Sequence, residues 1–246
     1  MKIYGLIGRK LGHSFSRRFF TEKFEQEGLR DCEYRNFEMD SIAEFPALVK
    51  SVRIAGLNCT IPYKEEVIPY LDGVIGAAAE IGAVNTVKFA ATGRLVGYNT
   101  DVYGFEQSIL PLLGTWNHGR RALILGTGGA SKAVAYVLRK LDFELLFATT
   151  KSPAAGQINY ADISGELVAE TPLIVNTTPL GMFPDTERCP VLPYQAITVR
   201  HLLYDLIYNP EESLFLRRGH QCGATVKNGA EMLRLQALKS WEIWEQ

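Results

Sequence analysis

One lysine stands at a point in the chain where a cation serves chemistry better than stability. Lys64 follows Asn58 and Thr60, and the chain turns from the strand-like run 53–60 into a helix at Pro62. Ligands of α/β sheets bind beyond the carboxyl ends of strands, which is where these three side chains fall. The helix dipole disfavours a cation in a first turn, so this position indicates a functional amine. A solvated lysine beside the two glutamates that follow explains the local sequence about equally well.

Two serines occupy a similar junction near the N-terminus. Ser14 and Ser16 follow the apolar run 2–7 and stand at the start of the helix-like run 15–28. Their hydroxyls, beside the free N–H groups of a helix start, suit a carboxylate. Taken alone, helix capping explains the pair better.

An amide and a carboxylate complete this polar group. Asn85 lies in the segment 82–87 and Asp101 ends the segment 97–101, each at an element boundary. Turn formation alone accounts for either residue, because Asn and Asp favour turns. Together with one lysine and several hydroxyls, they predict a site for a small polyhydroxy acid.

A glycine-rich loop is the strongest local signal in the chain. The strand-like run 121–125 is joined to a helix-like run by Gly126, Thr127, Gly128, Gly129 and Ala130. Glycines permit a tight turn and a close approach of the backbone to a pyrophosphate, which the free N–H groups of the helix start then bind. Ser131 takes the position of the third glycine of the GxGxxG pattern, and a plain glycine turn is the alternative interpretation.

The end of the next predicted strand, 143–149, distinguishes the two nicotinamide cofactors. NAD sites place a carboxylate there to bind the ribose 2′-hydroxyl, whereas this chain has Thr150 and Lys151. A cation and hydroxyls suit the 2′-phosphate of NADP, so we expect NADP rather than NAD. A solvated loop lysine is the alternative, and an arginine would hold phosphate more specifically.

Alternating strand-like and helix-like runs must position these residues. The strand-like runs of the N-terminal part are 2–7, 32–39 and 53–60, and the helix-like runs are 15–28 and 41–49. Ser41 and Glu44 have the spacing of a capping box. The order βαβαβ predicts a mainly parallel sheet with right-handed crossovers.

The pattern changes near Asp101. An apolar helix-like run, 102–113, leads into a second α/β series that starts at 121–125, so we place a domain boundary there. The terminal run 231–244 has apolar residues at helical spacing. We expect it to pack back on the first domain.

Composition excludes several classes of protein. In 246 residues, 26 Lys and Arg face 27 Asp and Glu, a formal net charge of −1, which argues against a nucleic-acid partner. The apolar runs fall short of the ~20 residues that span a bilayer, and the N-terminus has no signal-peptide pattern. Four scattered cysteines without a CxxC pair argue against zinc and a disulfide scaffold. We expect a cytoplasmic protein that acts on a small molecule, without a metal or membrane partner.

Taken together and in order, the motifs of this chain resemble those of the shikimate dehydrogenase family. They cover most of the chain at family-like spacing, at residues 13–16, 58–64, 82–86, 98–101, 126–130, 176–182, 204–210 and 229–236. One departure concerns the cofactor, because the family's Asn-Arg-Thr after the second nucleotide-domain strand is here Thr149, Thr150 and Lys151.

The resemblance implies a fold of two α/β domains with the active site in the cleft between them. The substrate-binding domain, with a mainly parallel sheet, would comprise residues 1–101 and about 229–246, and a Rossmann-like NADP-binding domain would comprise residues 102–228. The implied reaction is the reversible NADPH-dependent reduction of 3-dehydroshikimate to shikimate in chorismate and aromatic amino acid biosynthesis. The protein would be a monomer or a homodimer.

The resemblance also implies a role for each matching residue. Lys64 and Asp101 would form the catalytic pair. The substrate would be bound by Ser14, Ser16, Asn58, Thr60, Asn85 and Gln236, with Asp101 sharing a ring hydroxyl. The cofactor would be bound by Gly126, Thr127, Gly128, Gly129, Ala130, Thr150, Lys151, Thr177, Leu206, Tyr208 and Gly229.

Three other functions compete with this one. A quinate/shikimate dehydrogenase with relaxed substrate or cofactor choice is the nearest, and a methylene-tetrahydrofolate dehydrogenase-like enzyme is more distant. A catalytically silent binding protein on the same fold is the third. The presence of both Lys64 and Asp101 argues against a silent protein.

Overall fold

The chain folds into two compact units. The computed structural model describes residues 1–12 and 14–246. The first unit is formed by Met1–Thr100 with Gln236–Gln246, and the second by Asp101–Leu235. The division of functions between two domains, with boundaries near 101 and 229, stays a prediction.

The first unit contains a six-stranded sheet with short helices. Its strands are β1 (Lys2–Gly8), β2 (Cys32–Glu38), β3 (Ile54–Cys59), β4 (Gly73–Val74), β5 (Thr86–Phe89) and β6 (Leu95–Tyr98). Its helices are α1 (Phe15–Gln26), α2 (Phe45–Ser51), α3 (Tyr63–Glu66) and α4 (Ala77–Ile81), with 3-10 turns at Ile42–Glu44 and Ile68–Tyr70. The predicted capping box is present, with the Glu44 carboxylate accepting from the backbone N–H of Ser41 at 3.0 Å.

The strand order in this sheet is β2-β1-β3-β5-β6-β4. The strands predicted from the βαβαβ pattern, β1, β2 and β3, are parallel. The next strand, β5, runs antiparallel to both β3 and β6. The sequence prediction missed this hairpin because its strands are only four residues long. Its signal is Gly93, which turns the chain between them with φ of +83°.

Apolar side chains cover both faces of the sheet. Adjacent residues of a strand point to opposite faces, so Leu6 joins one buried cluster with Phe20 and Tyr34, whereas Ile7 joins another with Leu57.

Residues Gln236–Gln246 belong to the first unit. The indole N–H of Trp244 donates to the backbone oxygen of Val87 at 3.1 Å. Its ring lies against Gly56, where a Cβ would come within 2.4 Å of the indole. The close approach of the ring therefore requires glycine at position 56.

The second unit contains a parallel sheet and further helices. Its strands are β7 (Arg121–Leu125), β8 (Glu144–Thr149), β9 (Gln157–Asn159), β10 (Leu173–Asn176), β11 (Leu202–Asp205) and β12 (Thr225–Lys227). The helices are α5 (Thr100–Thr115), α6 (Gly129–Lys140), α7 (Gly165–Glu170), α8 (Leu214–Gln221) and α9 (Ala230–Glu245), with 3-10 turns at Tyr160–Asp162 and Tyr194–Ala196. Helices α5 and α9 each cross the division between the units.

The order of this second sheet is β12-β11-β10-β7-β8-β9, with every neighbouring pair parallel. Counted from β7, this is the order 3-2-1-4-5-6 of doubly wound dinucleotide-binding sheets. The order reverses between β7 and β10, and such a switch point opens a crevice at the carboxyl ends of the strands. The Rossmann-like fold predicted for this part of the chain is confirmed.

Within residues 1–12 and 14–246, no helix is both long enough and apolar enough to cross a bilayer.

Candidate active site

Asn85 is the centre of a buried polar network in the first unit. Its side-chain oxygen accepts hydrogen bonds from the backbone N–H of Thr100 at 2.7 Å and from the Thr86 hydroxyl at 3.0 Å. Its amide nitrogen lies 3.0 Å from the Thr100 hydroxyl and 3.5 Å from Gln236 Oε1. Two residues that the motifs assign to the substrate, Asn85 and Gln236, are therefore neighbours although they are far apart in sequence.

Asn58 extends the same network across the sheet. Its amide donates to the Ser240 hydroxyl at 2.9 Å, and its oxygen accepts from the Tyr34 hydroxyl at 2.8 Å. Burial raises the pKa of the Tyr34 phenol well above its usual range, against the opposing effect of a hydrogen bond with Ser16. A buried neutral phenol thus connects Ser16 on α1 to Asn58 on β3.

Several members of this network are not among the site residues predicted from the sequence. Thr86, Thr100 and Ser240 are buried, and the Ser240 hydroxyl lies 2.8 Å from that of Thr86 and 3.1 Å from that of Thr100. A usable signal for Ser240 exists, because it stands four residues after Gln236 on α9 and so shares its helix face. Burial of both polar side chains on this face indicates an internal polar site.

Ser14 is the N-cap of α1. Its hydroxyl accepts from the backbone N–H of Arg17 at a long 3.4 Å, and its own N–H donates to Leu11. The capping interpretation of Ser14 is therefore confirmed, while its predicted contact with a carboxylate stays a prediction. His13, the first residue of the same motif, lies outside the described residues.

Lys64 lies in the first turn of the four-residue helix α3, as the sequence predicted. Its side chain is half-buried, and its backbone oxygen accepts from the N–H of Val84 at 2.7 Å. The backbone oxygen of Thr60 accepts from the N–H of Tyr63 at 2.9 Å and so shapes the approach to α3. The lysine is held by its backbone next to the segment that carries Asn85.

Asp101 belongs to the second unit by its contacts and is the second residue of α5. Its side chain is 8% exposed. A carboxylate in a first helical turn interacts favourably with the helix dipole, so Asp101 also has a structural role at this position.

The glycine loop of the second unit follows β7 as predicted. Gly126 has φ of +104°, and a Cβ on it would come within 2.9 Å of the Thr177 hydroxyl. That hydroxyl donates to the backbone oxygen of Leu125 at 2.7 Å. Glycine is thus required at position 126 for two reasons: its φ is positive, and a side chain there would collide with Thr177 in the loop after β10.

The second glycine has a different environment. Gly128 is the N-cap of α6 with an ordinary φ of −83°, and a Cβ on it would meet no atom within 4 Å. The cap makes no side-chain hydrogen bond to the N–H groups of the first turn of α6. The N-terminus of α6, which begins at Gly129 and Ala130, therefore fits an anionic group such as a pyrophosphate. Ser131 replaces the third glycine and is buried, with its hydroxyl donating to the backbone oxygen of Gly128 at 2.6 Å.

The loop after β8 carries the residues predicted to select the cofactor. Thr149 is buried, and its hydroxyl accepts from the backbone N–H of Lys151 at 3.1 Å. The side chains of Thr150 and Lys151 are exposed. A phosphate here would be bound by the flexible side chain of Lys151 and by threonine hydroxyls, without the bidentate hydrogen bonds that an arginine makes.

The remaining predicted cofactor residues lie at the ends of β10, β11 and β12. Gly229 is buried, and a Cβ there would fall 2.1 Å from the backbone oxygen of Leu206. The N–H of Gly229 donates to the backbone oxygen of Ile207 at 2.9 Å. Leu206 and Tyr208 are half-buried in this loop. The structure therefore brings Leu206 and Gly229 into contact.

Among the residues that the structure describes, no group of three or more His, Cys, Asp or Glu side chains could hold a metal ion.

Comparison with known proteins decides the family. Residues 6–87 match the model of the shikimate dehydrogenase substrate binding domain. The shikimate dehydrogenase (NADP(+)) of Desulforamulus reducens is 34% identical over 262 residues, which cover 99% of this chain and 89% of that protein. This chain belongs to the shikimate dehydrogenase family.

Solved structures of similar proteins extend the comparison. The shikimate 5-dehydrogenase of Thermus thermophilus, in complex with NADP(H) and shikimate, has a TM-score of 0.85 at 31% identity, covering 99% of this chain and 93% of that one. The quinate dehydrogenase of Corynebacterium glutamicum, in complex with NAD, has a TM-score of 0.87 at 26% identity, with the same two coverages. The shikimate dehydrogenase fold therefore spans this whole chain.

Proposed function

We propose that this protein is an NADP-dependent shikimate dehydrogenase, which catalyses the reversible reduction of 3-dehydroshikimate to shikimate in aromatic amino acid biosynthesis. The observation that carries the proposal is the similarity over 99% of the chain to a shikimate dehydrogenase (NADP(+)). The polar network around Asn85 and the uncapped start of α6 supply, in separate units, the two kinds of binding group that this reaction needs.

We place the substrate on the first unit. The hydroxyls of Ser14 and Ser16 bind its carboxylate, because they stand at the start of α1, where the helix dipole favours an anion. Thr60, Asn85 and Gln236 bind ring hydroxyls. Asn58 completes this set by holding the network in place. Its side-chain oxygen accepts a hydrogen bond from Tyr34, and its side-chain nitrogen donates one to Ser240.

Lys64 and Asp101 are the proposed catalytic pair. The hydride for the carbonyl carbon of 3-dehydroshikimate would come from bound NADPH. The Lys64 ammonium stabilises the charge that develops on the carbonyl oxygen and donates the proton that completes the hydroxyl. In the reverse direction the neutral amine takes this proton as hydride leaves the carbon. Asp101 accepts a hydrogen bond from the reacting hydroxyl and orients the lysine.

The cofactor is assigned to the second unit. Gly126, Thr127, Gly128, Gly129 and Ala130 surround the pyrophosphate, and the N–H groups of α6 bind its charge. Thr150 and Lys151 face the adenosine 2′-phosphate. Thr177, Leu206, Tyr208 and Gly229 form the part of the site that receives the nicotinamide.

A second candidate, a quinate/shikimate dehydrogenase that also uses NAD, is favoured by two observations. The family's Asn-Arg-Thr is here Thr149, Thr150 and Lys151, without the arginine, and the NAD-bound quinate dehydrogenase shares the fold at a TM-score of 0.87. Steady-state rates with shikimate and quinate, each with NADP⁺ and NAD⁺, separate the two. We expect the highest kcat/KM for shikimate with NADP⁺, and a comparable value for quinate or NAD⁺ would establish the second candidate instead.

We further propose that the enzyme acts in the cytoplasm as a monomer or homodimer. Sedimentation of the purified protein, with and without NADP⁺ and shikimate, measures the oligomeric state. A larger assembly would contradict this part of the proposal.

A further inference from the structure

A buried carboxylate at the end of β11 is not used by the reaction described above. Asp205 is 0% exposed. One of its oxygens accepts hydrogen bonds from the Asn176 amide at 3.0 Å and from the backbone N–H of Ile207 at 3.0 Å. The other accepts from the Ser213 hydroxyl, which is also the N-cap of α8. Asp205 therefore connects two strands, a loop and a helix start.

This carboxylate is a poor choice for stability alone. Burial raises its pKa from 3.8 to about 6, and the hydrogen bonds from Ser213, Ile207 and Asn176 only partly oppose that effect. A buried charge is weak evidence for stability, because an apolar or neutral residue of similar size often stabilises the fold as well or better. Strongly perturbed carboxyl groups are found most often where function needs them.

On one side, the hydrogen bonds of Asp205 continue to the glycine loop. The oxygen of the Asn176 amide accepts from the backbone N–H of Thr178 at 3.0 Å and from its hydroxyl at 2.7 Å. The same turn contains Thr177, whose hydroxyl lies against Gly126. The Asp205 carboxylate thus fixes the side chain of Asn176. That side chain in turn fixes the turn at Thr177 and Thr178, beside the glycine loop.

On the other side, Asp205 holds the loop that touches Gly229. The bond to the Ile207 N–H fixes the residue whose backbone oxygen accepts from Gly229 at 2.9 Å. The adjacent Leu206 N–H donates to the backbone oxygen of Asn176 at 3.0 Å. One side chain therefore aligns the carboxyl ends of β10 and β11 and the chain that follows β12.

This aligned edge is the second half of a doubly wound sheet, where ligands lie beyond the strand ends. One mononucleotide half of a dinucleotide belongs to β7–β9 and the other to β10–β12. We propose that Asp205 is a positioning residue that sets the strand ends of β10, β11 and β12 for the nicotinamide half of the cofactor. The proposal rests on the proposed function.

The positioning role of Asp205 is tested with two variants and with two ligands, one with and one without the nicotinamide. Asp205→Ala removes the carboxylate, and Asp205→Asn keeps its size and can still accept from Asn176 and donate to Ser213. NADPH binding is compared with binding of 2′-phospho-ADP-ribose, which lacks the nicotinamide. We expect Asp205→Ala to weaken NADPH binding and lower kcat/KM by about 10- to 100-fold, the effect of misplacing a bound group. Binding of the shorter ligand should stay within about twofold, and Asp205→Asn should recover most of the loss.

A matched control removes a buried hydrogen bond of Tyr204, the residue that precedes Asp205. The Ser108 hydroxyl lies 2.6 Å from the hydroxyl of Tyr204, whose side chain points to the opposite face of β11. Ser108→Ala should lower the melting temperature without changing the ratio of the two affinities. If Asp205→Ala does not fold, Asn176→Ala takes its place, because it breaks the link to Thr178 and should give the same pattern.

Wild-type NADPH affinity in Asp205→Ala, or equal weakening of both ligands, would overturn the proposal, since a merely structural role gives one or the other. These outcomes are separate from a failure of the proposed function, which shows as a wild-type protein that binds NADPH without reducing 3-dehydroshikimate.

Discussion

The backbone oxygen of Lys64 accepts a hydrogen bond from the backbone N–H of Val84 at 2.7 Å. This contact fastens the short helix α3 to the segment in which Asn85 follows directly. The side-chain oxygen of Asn85 in turn receives the N–H of Thr100, the first residue of α5. The proposed catalytic lysine and the centre of the polar network are thus fixed by backbone bonds, which substitution of the Lys64 side chain leaves in place.

The Ser14 hydroxyl can be tested separately from its capping role. At an N-cap, alanine costs about 0.5–2 kcal/mol of stability and glycine only a few tenths. If the hydroxyl binds the substrate carboxylate, both Ser14→Ala and Ser14→Gly should raise the KM for shikimate, by about tenfold for a lost bond to a charged group. Ser41→Ala, which removes a cap elsewhere, should change stability only. A KM that rises in Ser14→Ala but not in Ser14→Gly would assign the effect to the helix instead.

The two loop glycines should respond differently to alanine. Gly126→Ala combines a positive φ with a contact to Thr177, so we expect a loss of about 1–3 kcal/mol in stability. Gly128→Ala meets open space in the fold and should leave the melting temperature unchanged. It should still weaken NADPH binding by about tenfold or more, because its Cβ occupies the place of the pyrophosphate. Calorimetry and fluorescence titration measure the two effects, and undiminished NADPH binding by Gly128→Ala would place the pyrophosphate elsewhere.

Lys151 should determine the cofactor preference. Lys151→Ala should lower kcat/KM with NADP⁺ and leave that with NAD⁺ unchanged, because only NADP⁺ carries the 2′-phosphate. Lys151→Arg should improve NADP⁺ over NAD⁺ by roughly 2- to 5-fold, the value of an ion pair at an exposed site. Lys140→Ala, at the far end of α6, is the control. Equal effects on both cofactors would remove Lys151 from the phosphate site.

Asp205 predicts a pH dependence of stability. Its pKa of about 6 in the folded state, raised from 3.8 by burial, means that the folded protein binds this proton more tightly than the unfolded chain. The contribution of Asp205 to the free energy of unfolding is therefore greatest below pH about 4 and is lost as the pH rises through about 6. The free energy of unfolding of the wild type, relative to Asp205→Asn, should therefore fall by at most about 3 kcal/mol between these limits. Denaturant unfolding of both proteins at several pH values measures this difference in free energy. A difference that does not change with pH would contradict the raised pKa of Asp205.

Local signals in the sequence predicted much of this molecule. Strand β7, the glycine loop and helix α6 follow from a buried run, three glycines and a helix start within one short segment. The capping box of Ser41 and Glu44 is equally local. The parallel order of β1, β2 and β3 follows from the handedness and length of their crossovers.

What the sequence could not predict depends on contacts between distant residues. Ser240 lies 182 residues from Asn58, to which it is bonded, and only the docking of α9 brings them together. Asp205 directly follows the apolar run of β11, and nothing nearby in the sequence shows that Asn176 and Ser213 will supply donors. The hairpin of β5 and β6 is missed because four-residue strands carry too few side chains to show a period.

The most direct test of the central claim is the rate of shikimate-dependent NADP⁺ reduction by the wild type and by Lys64→Ala. We predict that the wild type is active and that Lys64→Ala loses about 10²- to 10⁴-fold in kcat, the contribution of a positioned acid or base. Shikimate and NADPH binding and the melting temperature should be retained, and Lys50→Ala, at an exposed site on α2, should behave as the wild type. A folded Lys64→Ala variant with near-normal kcat, or an inactive wild type that binds both ligands, would contradict the claim.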